Sequence, residues 1–122
     1  AMVLMRGDAL VEIVRGGREP YRLLTTGGVA NQQRVRITNQ LPETQRFTIE
    51  ILSPHGASLV VSDSPIVVDP EEVVTVNAVT TVSRDAFDDG QASVRYLITS
   101  DRGFRKEVSF LLLGPFAEGD EP

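Results

Sequence analysis

The chain has no cysteine, no tryptophan and a single histidine in 122 residues. Without thiols it can build no disulfide framework, thiolate metal site, iron–sulfur cluster or cysteine nucleophile. That absence is compatible with a reducing or an oxidising compartment, so redox location stays open. A blue-copper centre, which some β-sandwiches hold, is excluded with the missing cysteine. His55 has no companion ligands for zinc or copper, and its setting in Ser53-Pro54-His55-Gly56 reads as a turn. Positive charge is also scarce: 12 Lys and Arg stand against 17 Asp and Glu, a net charge of −5. That balance opposes phosphate-backbone binding and supplies no polybasic patch for an anionic membrane. No apolar run approaches the roughly 18 residues a spanning helix needs. The opening Ala1-Met2-Val3-Leu4-Met5-Arg6 lacks the charged start and long apolar stretch of a signal peptide. Residues 1–8 are expected to be an N-terminal extension or a cloning remnant, with targeting information left to a parent protein.

What remains is ordinary globular composition, 41% hydrophobic and 24% charged, in a length that suits one two-layer domain. Alternation with period two dominates. Val11 and Ile13 flank Glu12; Val35 and Ile37 alternate with Arg34, Arg36 and Thr38; Phe47, Ile49 and Ile51 alternate with Arg46, Thr48 and Glu50. Short β-branched runs follow at Leu59 to Val61 and Ile66 to Val68, with Pro65 between them favouring an edge position. Val73 to Val82 is too β-branched for a helix. Val94, Tyr96 and Ile98 alternate again, and Val108, Phe110 and Leu112 share a face of the last run.

Turn residues fall between the runs, including Asp69-Pro70, Asp88-Asp89-Gly90 and Asp101-Arg102-Gly103. The last of these predicts a short hairpin loop with Gly103 in the left-handed region. One helical turn is predicted, Ser83 to Phe87, capped by Ser83. About seven antiparallel strands at intervals of roughly 8–12 residues predict an all-β, immunoglobulin-like β-sandwich over residues 9–116. Residues 117–122, an acidic stretch without a large apolar residue, are expected to be a disordered tail. Tyr96 is a candidate for the corner tyrosine of such folds.

No motif predicts a catalytic, cofactor or metal site. Asp85, Asp88 and Asp89 lack the alternating spacing and distal Glu of a calcium loop. Gly27-Gly28 lacks the strand–glycine–helix setting of a phosphate loop. Arg6-Gly7-Asp8 matches a tripeptide read by some adhesion receptors, with no supporting context. The one candidate interaction element is Arg18-Glu19-Pro20-Tyr21-Arg22, in a connection of about 15 residues between the first two predicted strands. Arg18, Pro20, Tyr21 and Arg22 are its candidate contact residues; the alternative is that Tyr21 and Leu23 merely cover one end of the sandwich.

The stretch from Val14 to Asn39, VRGGREPYRLLTTGGVANQQRVRITN, resembles the C-terminal immunoglobulin-like domain of the FixG/CcoG family, accessory proteins of cbb-type cytochrome c oxidase. Arg18, Pro20, Gly28, Asn31, Val35, Ile37 and Asn39 match its pattern, and Phe47 to Ile51 and the Asp69-Pro70-Glu71-Glu72 turn continue it. Gly17 and Glu19 depart from it, standing where the family usually has Asp and Asn. The resemblance implies a parent that is a polytopic inner-membrane protein with ferredoxin-like iron–sulfur motifs, acting in oxidase assembly and copper handling. This domain would then be periplasmic and non-catalytic, with no cofactor of its own. Its partner would be an oxidase subunit, an assembly factor or the parent's own membrane portion. The alternative function is a carbohydrate- or surface-binding module of an extracellular protein; an enzyme ranks third.

Overall fold

In the computed structural model, residues 8–115 are described. Nine strands form two antiparallel sheets: β1 (Ala9–Arg15), β2 (Arg22–Leu23), β3 (Gly28–Asn39), β4 (Gln45–Ser53), β5 (Ser58–Val61), β6 (Ile66–Val68), β7 (Val73–Ser83), β8 (Gln91–Ser100) and β9 (Arg105–Leu113). One sheet runs β1-β3-β7-β5, with β2 beside β3; the other runs β6-β4-β8-β9. The predicted sandwich is present, with about two more strands than expected. One addition is the two-residue β2. In addition, β5 and β6, neighbours in sequence, lie in different sheets, so the chain changes layer between them.

The inward positions of each strand build the core. Val35 and Ile37 from β3, Phe47 from β4, Val76, Ala78 and Val82 from β7, Val94, Tyr96 and Ile98 from β8 and Leu112 from β9 are all buried. Phe104 closes one end by meeting the Phe47 ring edge-on, centroids 5.8 Å apart. The local predictions hold at both marked turns. Gly103 has φ 95° in the β8–β9 hairpin, and Ser83 accepts the amide of Asp85 ahead of a 3-10 turn at Arg84–Ala86. Pro65 stands just before β6, a terminal strand of its sheet, as expected.

One expectation is corrected. β3 begins at Gly28, not near Val35, so the connection after β1 shortens to residues 16–27 and contains β2. The first half of β3 does alternate, but its buried positions include Asn31 and Gln33. Amides facing inward hide a strand from any reading of apolar periodicity.

Those amides are paired. Among the described residues no buried side-chain nitrogen or oxygen lacks a hydrogen-bond partner. Asn31 behaves as a third peptide group: its Nδ2 donates to the carbonyl of Leu113 at 2.8 Å, and its Oδ1 accepts the Leu113 amide at 3.0 Å. It thereby ties β9 of one sheet to β3 of the other. Asn39 donates to the carbonyls of Glu43 and Val68, while its Oδ1 accepts from the Leu41 amide and from Gln45 Nε2. Both residues carry the family resemblance, and the structure gives them architectural work. At the rim between the sheets, Arg15 lies over the Phe110 ring, 5.3 Å from its centroid, and donates to the Leu111 carbonyl at 2.9 Å. That contact joins terminal strand β1 to terminal strand β9.

Candidate functional site

β1 and β2 share one edge of β3. β1 pairs with Gln33 to Asn39, and β2 with Val29 and Ala30. Residues 16–21 bridge the gap and pass over the Gln32 side chain. The crossing needs a glycine: Gly17 has φ 78°, and a Cβ there would lie 1.9 Å from Gln32 Oε1. The hairpin then closes through Leu24 N to Gly28 O at 2.9 Å.

This crossing raises a wall above the outer face of the first sheet and creates an open groove of about 520 Å³. Arg18, Glu19, Tyr21 and Arg22 line its rim, and Leu24, Ala30, Gln32, Val79 and Thr81 form its floor. Arg22 and Glu19 sit 3.5 Å apart, with both side chains well exposed, so the pair contributes little to stability. The structure therefore brings Arg18, Tyr21 and Arg22 together around one concavity. Pro20 is exposed in the same wall but does not line the groove. The floor residues were not recognisable in the sequence, because their membership depends on the β3–β7 register, Ala30 opposite Thr81 and Gln32 opposite Val79.

Two groups outside the groove, Tyr96 and Asp101, have shifted acidity. Burial raises the Tyr96 phenol above its ordinary range. Asp101 is held below the usual carboxylate range, first by the backbone amide of Arg46, which donates to its Oδ1 at 2.9 Å.

Tyr96 is not a corner tyrosine. Its hydroxyl meets side chains of the opposite sheet rather than nearby backbone. Gln33 Nε2 donates to the Tyr96 hydroxyl, and the Thr80 hydroxyl donates to Gln33 Oε1 at 2.7 Å. The phenol proton is then free for Thr80 Oγ1, 2.7 Å away, which closes a ring of three bonds. Its depth in the middle of β8 puts it over the inner face of the other sheet, away from any corner.

His55 lies in the exposed β4–β5 turn. Asp88 and Asp89 belong to the tight turn entering β8. No cluster of three His, Cys, Asp or Glu suited to a metal occurs among the described residues. Arg6 and Gly7, and with them most of the adhesion tripeptide, lie outside those residues, as do residues 116–122. The Asp8 carbonyl accepts from Gln45 Nε2 at 2.9 Å.

Two stacked antiparallel sheets, with β1, β3 and β7 facing β4, β8 and β9, define an immunoglobulin-like β-sandwich. The chain belongs to the family described as "IG-like fold at C-terminal of FixG, putative oxidoreductase", whose model matches residues 1–115. Among solved structures it is similar to a FixG-related protein from Vibrio parahaemolyticus, at 17% identity and a TM-score of 0.71. That likeness covers 89% of this chain and 98% of the other. No curated protein matches the chain.

Proposed function

We propose that this chain is a non-catalytic interaction module, the periplasmic C-terminal domain of a FixG-like inner-membrane protein that serves cbb-type oxidase assembly and copper handling. Membership of the FixG C-terminal family supports the parentage. The observation that carries the interaction role is the open groove beneath the Arg18 to Leu24 wall: concave, with Leu24, Ala30 and Val79 among its floor residues and Arg18, Tyr21 and Arg22 along its rim. Such a site binds; it does not gather the coupled acids and bases that a reaction needs. Its partner is an oxidase subunit, an assembly factor or the parent's own membrane portion. Iron–sulfur and copper chemistry belongs to other parts of the assembly. A sugar-binding platform fits less well, since among the described residues Tyr21 is the one aromatic lining the groove.

A photo-crosslinking residue at Tyr21 in the membrane-embedded parent tests the role. Covalent adducts with an oxidase or assembly protein, or with the parent's membrane portion, are expected. Adduct levels equal to those from a control position on the opposite face, such as Thr48, would remove the groove from the interaction.

A further inference from the structure

Apart from Arg22, which pairs with Glu19 at the groove rim, the arginines on the two outer faces of the sandwich are partnered differently. On the face of the second sheet, Arg46 pairs with Asp101, and Arg95 and Arg105 both pair with Glu107. On the first sheet, Arg34 and Arg36 project outward from β3, in line with the groove floor at Ala30 and Gln32. Neither they nor Arg18 makes an ion pair among the described residues. The cross-strand neighbours of Arg34 are Val14 and Asn77, and those of Arg36 are Glu12 and Thr75. A protein of net charge −5 thus carries on one face, beginning at its groove, arginines that make no ion pair among the described residues, with Glu12 the one carboxylate on the strands beside Arg34 and Arg36. Apolar side chains lie on the same face: Val60 is 67% exposed and Val14 53%.

Resting on the interaction role proposed above, we infer the chemistry of the partner: an extended, acidic protein segment that seats one apolar side chain in the groove and lays carboxylates along Arg34 and Arg36. Alternate residues of a strand lie roughly 7 Å apart, so carboxylates at alternate positions of an extended segment match the two guanidiniums. Each guanidinium can grip a carboxylate through two parallel N–H bonds, which a neutral partner cannot reproduce. The groove accounts for the apolar anchor: Leu24, Ala30 and Val79 give it a floor that charge alone would not require. An anionic bilayer would engage the same arginines but leave the groove unused.

Selection of 12-residue peptides from a random display library on the full chain tests this. Enriched peptides are expected to combine Asp or Glu at alternate positions with a Leu, Ile or Phe. Their affinity should fall about tenfold for the Arg34→Gln/Arg36→Gln variant, and about as much from low to high salt. The variant changes exposed residues, and an unchanged urea midpoint would show that its fold is intact. Enrichment of neutral or basic peptides that Val79→Arg abolishes would overturn the acidic partner while leaving the groove a binding site. Absence of any enriched peptide would overturn both. Phosphatidylglycerol vesicles that bind through Arg34 and Arg36 without competing with the selected peptides would also overturn the inference, in favour of a membrane surface.

Discussion

At the scale of single residues, Gln33, Tyr96 and Thr80 form a closed ring of hydrogen bonds inside the core. Every member both donates and accepts within the core, so removing one oxygen strands the others. Tyr96→Phe leaves Gln33 Nε2 without its acceptor and should cost about 1–3 kcal/mol, read from urea unfolding. The sign of the pH dependence follows from burial. The unfolded phenol ionises near its ordinary value of 10.0, while the folded one stays protonated to higher pH. The stability tied to Tyr96 is therefore complete below that value and is lost as pH rises through the raised one. Melting temperatures measured across the alkaline range should fall more steeply for the wild type than for Tyr96→Phe. At the acid end, Asp101 works in the opposite sense. Its carboxylate, favoured by the Arg46 amide, stabilises above its ordinary value of 3.8, and the effect disappears as pH falls through the lowered one. Asp101→Asn should flatten that acid limb.

At the scale of elements, the legible parts of the chain were those specified by neighbours in sequence. β4 declared itself through Phe47, Ile49 and Ile51, the β8–β9 hairpin through Gly103, and the 3-10 turn through Ser83, because apolar alternation and turn chemistry are local. The start of β3 was not legible, since Asn31 and Gln33 take the buried positions there. Their partners, Leu113, Thr80 and Tyr96, are distant in sequence. The loop that builds the groove wall was recognisable from Arg18, Tyr21 and Arg22. The floor was not, nor were the β3 arginines that make no ion pair among the described residues, because which arginine finds a carboxylate depends on pairing across strands. Edge and core elements should also respond differently to substitution. Val67→Lys on the outward side of edge strand β6 should change the urea midpoint negligibly. Phe47→Ala, fully buried in central strand β4, should cost about 3–5 kcal/mol.

At the scale of the whole molecule, most strand pairings join distant parts of the chain: β3 with β7, β4 with β8, β5 with β7. Each such pairing must close a long loop before its contacts stabilise anything, so refolding should be slow for the chain's size, in the millisecond-to-second range by stopped-flow tyrosine fluorescence of a Tyr21→Phe variant, in which Tyr96 is the one tyrosine. Because the chain changes sheets between β4 and β5, β5 and β6, and β6 and β7, neither sheet can detach alone. Unfolding should then be a single transition with coincident probes.

The Arg15 contact has a consequence of another kind. A sandwich has four terminal strands, each a template on which a foreign strand can polymerise. Arg15 spans two of them at once, occupying a β9 carbonyl and placing a fixed charge where an incoming strand would dock. The other two, β5 and β6, have four and three residues, too short to seed a long ladder. The molecule is thereby guarded against fibre growth on one flank by a charged clasp and on the other by brevity.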